Sequence, residues 1–336
     1  MADYRLFGAE TSPYSMKVRS ALRYKGIAFD WVARSASNEA AFRTHALTPT
    51  VPLLISPAGA VQDSTLILTQ LEASHPQPPA RPEEPACQAL ALILEDYADE
   101  WLNKCMFQQR WGQQPDRDAA AMRVLIQLND GKRPRAFKAP ARQIATRMLA
   151  RLSLVGAEAE NGPTLENSYR RFALRLNTHL QNHLFIFGGR PSAADFAIAA
   201  QFQQMLTDPT PGSWLKERAH FLVAWCAHMD DPKAGGPYAP LTELEATLLP
   251  LFEGEVARTY LPWAHANAAS ASREKKKFSV TLDDGLFEQA TQAYAARAFN
   301  GVRSAISGRL NDPALSAFLD AAGARSFFVR PATAQT

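Results

Sequence analysis

Apolar and polar positions between residues 4 and 76 follow two rhythms. Short apolar runs, YRLF, IAFDWV, VPLLI and AVQ, read as strands, and the stretches between them carry helical spacing. The segment Pro13 to Lys25 places Val18, Ala21 and Leu22 on one face and Lys17, Arg23 and Lys25 mostly on the other, with Gly26 as its stop. Asp63 or Ser64 caps a further helix through Leu71, with Leu66, Ile67 and Leu71 at helical spacing. Strands alternating with helices predict an α/β domain.

The proline-dense stretch HPQPPARPEEP, residues 75 to 85, suits an extended linker and marks a domain boundary. Beyond it CQALALILEDYADEWLNKCMFQQRW, ENSYRRFALRLNTHLQNHL, SAADFAIAAQFQQML and SWLKERAHFLVAWCAHMDD all carry helical patterns. They predict a helical bundle. The organisation expected is an α/β domain over residues 1–78, a larger all-α domain over 86–250 and a C-terminal extension over 251–336 packed on the helical domain. Two segments fit less well. Residues 129–151 are rich in Lys and Arg, and residues 270–330 hold a basic run, an alternating FSVTL and another helical pattern. For the first, a solvated helical insertion stands beside an anion-attracting lip over a ligand site. REKKK, residues 273–277, reads as a solvated turn.

Composition narrows the function classes. The 336 residues include enough apolar ones for a substantial core, and a net charge of +3 is too mild to indicate a nucleic-acid partner. Cys87, Cys105 and Cys226 are far apart and form no C-x-x-C pair, which argues against a disulfide framework or a cysteine zinc site and for a reducing compartment. With no leader pattern and no apolar stretch long enough to span a bilayer, the expectation is a cytoplasmic protein without a membrane partner.

Four stretches, SPYSMKVRSALRYKGI, TPTVPLL, VQDSTLILTQLEASHP and GGRPSAADFAIAAQF, occur in the order and relative positions that resemble the cytosolic glutathione transferase superfamily. The similarity covers roughly residues 4 to 230, and the remainder resembles a longer bacterial branch with a serine-type active site. The resemblance implies a thioredoxin-like first domain binding glutathione as cosubstrate and a helical second domain shaping the site for a small, largely apolar electrophile. It also implies a homodimer and a role in detoxification.

On that resemblance Ser12 stands where the family's serine branches contact the glutathione sulfur, with Thr11, Tyr14 and Ser15 as nearby hydroxyls able to take the same role. A cysteine at position 12 would favour mixed-disulfide chemistry, so Ser12 points to conjugation or glutathione-assisted elimination. Read locally, Ser12 caps a helix with Pro13 at its first position. Val51-Pro52 matches the family's cis-proline, beside which the backbone pairs with the cysteinyl part of the peptide. Asp63-Ser64 matches the acidic-Ser pair that binds the γ-glutamyl end, Ser64 offering a hydroxyl and a helix-start N–H to the carboxylate and Asp63 helping to hold the ammonium. The loop RTHALTPT lacks the basic residue that often contacts the glycyl carboxylate, leaving His45 or Arg43 as substitutes.

Other constellations are weaker. Tyr14, Phe107 and Trp111 are candidates for an apolar substrate pocket, with Trp101 and Met106 close by, and core or dimer packing explains the same aromatics. His179 and His183 are four apart but have no third ligand, so no metal site is expected. Ser192 and Asp195 form an S-x-x-D capping box before FAIAA, a structural device. The principal functional reading is a glutathione-dependent transferase. The alternative is a non-catalytic binding or scaffold protein on the same fold.

Overall fold

The computed structural model of the chain describes residues 2–329. The first domain is β1 (Tyr4–Gly8), α1 (Pro13–Tyr24), β2 (Phe29–Ala33), α2 (Glu39–His45), β3 (Leu53–Ser56), β4 (Gly59–Gln62) and α3 (Ser64–Ser74). Its sheet has the order β2-β1-β3-β4, with β1 parallel to β2 and the other pairs antiparallel. Leu6 pairs with Leu54 and Phe7 with Leu53, so residues from two distant strands bury their side chains on opposite faces of one layer. This is the thioredoxin-like arrangement that the family resemblance implied.

Local chemistry explains the helix starts. Ser12 is extended and its Oγ accepts the N–H of Ser15 at 3.3 Å, while Pro13 opens α1 where no N–H is required. Gly26 ends the segment at φ +66°, a conformation that suits glycine. Asp63 caps α3 by accepting the N–H groups of Thr65 at 3.0 Å and Leu66 at 3.2 Å.

The joint over residues 75–85 is irregular but anchored. Lys25 donates to the carbonyls of His75 and Pro78, Tyr24 and Tyr238 donate to that of Pro79, and Ala193 N–H donates to that of Ala80. The second layer then begins with α4 (Pro85–Tyr97), which passes through a π turn at Ala98–Leu102 into α5 (Asn103–Gly112), followed by α6 (Gln114–Leu128), α7 (Lys138–Leu149) and α8 (Leu152–Val155). Helices α9 (Gly162–His179), α10 (Ala193–Leu206), α11 (Pro209–Arg218) and α12 (His220–His228) complete the bundle, and α10 crosses α1 as the main joint between domains. Among the described residues no helix is long and apolar enough to cross a membrane, and the three cysteines are free and buried.

The expected boundary at residue 250–251 lies inside a helix. Helix α13 (Leu241–Leu251) continues through a π segment at Phe252–Tyr260 into α14 (Leu261–Ser272), with Leu248, Leu251, Val256 and Leu261 keeping one buried face throughout. A hairpin, β5 (Lys277–Leu282) and β6 (Gly285–Ala290), then leads to α15 (Ala293–Ser307) and α16 (Pro313–Ala321), both packed on α4. The extension also reaches the first domain, because the Tyr294 hydroxyl donates to Asp63.

Candidate functional site

Three parts of the chain enclose a cavity of about 680 Å³. The first domain supplies Tyr14, Thr50, Val51, Pro52, Asp63 and Ser64; the π turn after α4 supplies Asp99 and Glu100; and α15 supplies Tyr294 and Arg297. The Val51-Pro52 peptide is cis. Gln62 shapes the approach to it, accepting the N–H groups of Leu47 and Thr48 and donating to the carbonyls of Thr48 and Thr50.

Ser64 is almost fully buried at the first position of α3, where the next three N–H groups are already taken by the side chain and carbonyl of Asp63. Ser12 is half-buried at the start of α1 and is not among the residues lining the cavity, to which α1 contributes Tyr14. The Ser12 Oγ accepts a backbone N–H, and no described residue accepts its own proton. Tyr14 is already committed, its hydroxyl donating to the Asp99 carbonyl at 2.9 Å. Burial raises its pKa well above the usual phenol value, and the Glu100 and Asp99 carboxylates add to the rise. Ser15 is fully buried and accepts the Ala9 N–H, and the Thr11 carbonyl is held by Arg110.

Beneath the cavity lies a charge cluster that the helical period of α1 concealed. Lys17, expected on the polar face, is fully buried and contacts Glu95 at 2.7 Å, Asp99 at 2.6 Å and Thr65 at 3.1 Å. Lys25, placed on that face too, is also buried, pairing with Glu72 at 2.7 Å. Their partners lie on α3 and α4, so the polar face of the isolated helix becomes a domain interface. Burial alone would neutralise Lys17, but the Asp99 and Glu95 carboxylates outweigh it and keep the ammonium protonated. Burial pushes Asp99 up to about 6 against the pull of Lys17, and pushes Glu100 up to about 7 against the pull of Lys104. Asp96 is raised further by burial, and Tyr260 donates to it. The run EDYADE on an otherwise apolar helix was the available sequence signal for this cluster. Nothing comparable marked Tyr294 or Arg297.

Phe107 and Trp111 lie elsewhere. Trp111 is buried with Ala120, Leu125 and Ile144 in a small core between α5, α6 and α7, against which Phe107 packs, so neither lines the cavity. The reason is the hairpin of α6 and α7, which covers that face of α5. The same hairpin accounts for residues 129–151. Asp130 accepts from Ser35 and Ser37 at 2.5 Å and Gln127 accepts the Glu10 N–H, so the basic segment is a helical insertion docked on the first domain, outside the cavity lining. Trp101 and Met106 are core, Trp101 donating to Ser168 at 2.8 Å. Arg43 pairs with Glu39 at 2.6 Å, and neither it nor His45 lines the cavity.

The histidine pair is structural. His179 hydrogen-bonds Thr247 at 2.8 Å and the Ile186 carbonyl at 2.9 Å, and among the described residues no group could hold a metal ion. Asp195 and Ser192 form the capping box, and Asp195 also accepts the Ile186 N–H at 2.8 Å.

Residues 6–79 match the family model described as glutathione S-transferase, N-terminal domain. A probable glutathione S-transferase of Solanum tuberosum is 24% identical over 144 residues, 41% of this chain and 65% of that protein. The chain thus spans slightly less than two thirds of that relative's length. Among solved structures, a glutathione S-transferase of Methylobacterium radiotolerans in complex with glutathione sulfonate is 23% identical, covering 70% of this chain and 96% of that one at a TM-score of 0.40. A β-etherase of Sphingobium is 18% identical, covering 68% and 95% at a TM-score of 0.45. Residues 6–79 are therefore an N-terminal domain of the glutathione S-transferase family.

Proposed function

We propose that the chain is a glutathione-dependent transferase. The observation that carries this reading is the cavity itself: in a domain of this family, Val51, Pro52, Asp63 and Ser64 line one space of about 680 Å³, within the range of small-molecule sites. In this reading the peptide backbone pairs beside cis-Pro52, the hydroxyl and N–H of Ser64 receive the γ-glutamyl carboxylate, and Asp63 helps to hold the ammonium.

Ser12 stabilises the thiolate. A thiol near pKa 8.5 must be shifted by about two units, which requires about 2.7 kcal/mol. A hydroxyl hydrogen bond to an anion contributes about 1.5–3 kcal/mol and a helix N-terminus about 0.3–1. The Ser12 hydroxyl suits this role because its proton is uncommitted, whereas that of Tyr14 is held by Asp99. The thiol proton leaves to solvent, the sulfur forms a bond to an apolar electrophile and the leaving group departs with its electron pair. A homodimer working in detoxification in the cytoplasm belongs to the same proposal.

The second reading, a glutathione-binding or scaffold protein without chemistry, is favoured by one observation: Ser12 is not part of the cavity lining. Calorimetric titration of glutathione, followed by ultraviolet absorbance of the bound thiolate against pH, separates the two. Binding with the thiol pKa well below that of free glutathione supports the transferase. Binding with an unshifted thiol supports the non-catalytic reading, and no binding at millimolar peptide rejects the transferase and leaves a scaffold with a repurposed pocket.

A further inference from the structure

Helix α15 lies beyond the stretch that resembles the family, yet Tyr294, Arg297, Ala298 and Val302 line the cavity together with Asp63 and Ser64. Two of these four carry chemistry. Asp63 has its Oδ1 engaged in capping α3, and its Oδ2 receives the Tyr294 hydroxyl from the extension. The backbone of Asp63 sits at φ +81°, a conformation that a non-glycine residue keeps only where its surroundings hold it. Tyr294 thus ties the extension to the residue proposed to face the peptide's ammonium.

Arg297 differs in being uncommitted. It is exposed, stands near the Tyr294 ring at 5.8 Å, and makes no ion pair or hydrogen bond among the described residues. Among the described residues it is also the one cation lining the cavity. Of the acidic residues there, Glu95 and Asp99 are bridged by Lys17, Asp96 receives the Tyr260 hydroxyl, and Glu100 has no hydrogen-bond partner among the described residues. A free guanidinium in one cavity with Ser64 and the Tyr294-held carboxylate of Asp63 fits a ligand end that carries both a carboxylate and an ammonium.

Resting on the glutathione reading, we infer that the C-terminal extension completes the γ-glutamyl site within the same chain: Arg297 binds the α-carboxylate together with Ser64, and Tyr294 is a positioning residue that orients Asp63 toward the α-ammonium. The extension is then a specificity element for α-amino-acid-terminated peptides, in addition to its packing on α4.

The test is calorimetric titration of the full chain with three peptides: glutathione, γ-aminobutyryl-cysteinylglycine, which lacks the α-carboxylate, and glutaryl-cysteinylglycine, which lacks the α-amino group. Arg297→Gln is expected to weaken glutathione about tenfold while leaving the decarboxylated peptide within about twofold, because only glutathione loses a charge-assisted contact. Tyr294→Phe is expected to weaken glutathione at least about threefold and to narrow its advantage over the deaminated peptide. Both positions are exposed, so thermal melting of the variants should match the wild type and exclude a folding effect. Arg297→Gln binding glutathione as the wild type does, or losing both carboxylated and decarboxylated peptides equally, overturns the inference and leaves the glutathione reading intact. A wild-type protein that binds none of the three overturns the glutathione reading and the inference with it.

Discussion

Substituting Lys17 by methionine removes the buried cation that joins α1 to α3 and α4. The side chain is fully buried, and the substitution leaves Glu95 and Asp99 without their shared cation. Breaking a buried pair from one side costs about 3–5 kcal/mol, since the remaining charge is uncompensated. That cost depends on pH in a calculable direction. In the wild type Asp99 protonates near 6, having been pushed up by burial and held down by Lys17. Without Lys17 the upward push of burial and Glu95 is opposed only by the Thr65 hydrogen bond. If Asp99 then stays protonated up to pH 8, the variant binds nearly one more proton than the wild type over most of the interval from pH 8 to 6 and regains about 2.3 kcal/mol across it. Urea denaturation of both proteins at pH 8 and pH 6 measures the difference directly. The expected result is a large loss at pH 8 that shrinks to about 1 kcal/mol at pH 6. An equal loss at both values would mean that Asp99 is not the group left unpaired, and would refute the argument.

Three further outcomes are expected. Ser12→Ala should lower turnover of any accepted electrophile at least about tenfold near neutral pH while retaining glutathione binding, as steady-state kinetics beside calorimetry would show; unchanged turnover removes Ser12 from the mechanism. Asp195→Ala should destabilise by at least about 2 kcal/mol in a denaturant titration, because the helix cap is lost and the Ile186 N–H is left buried without its acceptor. His179 is held down to about 4 by burial and by His183, so its folded value lies below its unfolded one. Stability is then complete above about 6.5 and lost as pH falls toward 4, by about 3 kcal/mol in all, and His179→Gln should flatten that part of the stability–pH curve.

Local rules made much of the first domain legible in the sequence. Alternation marked its strands, Ser12, Pro13 and Asp63 marked its helix starts, and Gly26 marked a stop, because each of these effects acts within a few residues. The capping box at Ser192 was readable for the same reason, its two side chains being three positions apart. Two of the four motifs, TPTVPLL and VQDSTLILTQLEASHP, also singled out Val51, Pro52, Asp63 and Ser64, which the fold gathers at one cavity.

What tertiary structure alone decided involves partners distant along the chain. Lys17 looks like a solvated residue until α4 brings Glu95 and Asp99 against it from 78 and 82 positions away. Phe107 and Trp111 look like pocket residues until the hairpin of α6 and α7 covers them. Tyr294 meets Asp63 across 231 positions, so no local pattern could have assigned α15 to the site. Periodicity determines which face of a helix is apolar. The neighbour that covers that face, and the charge that neutralises a polar one, are set by packing energies that exist only once the chain has closed on itself.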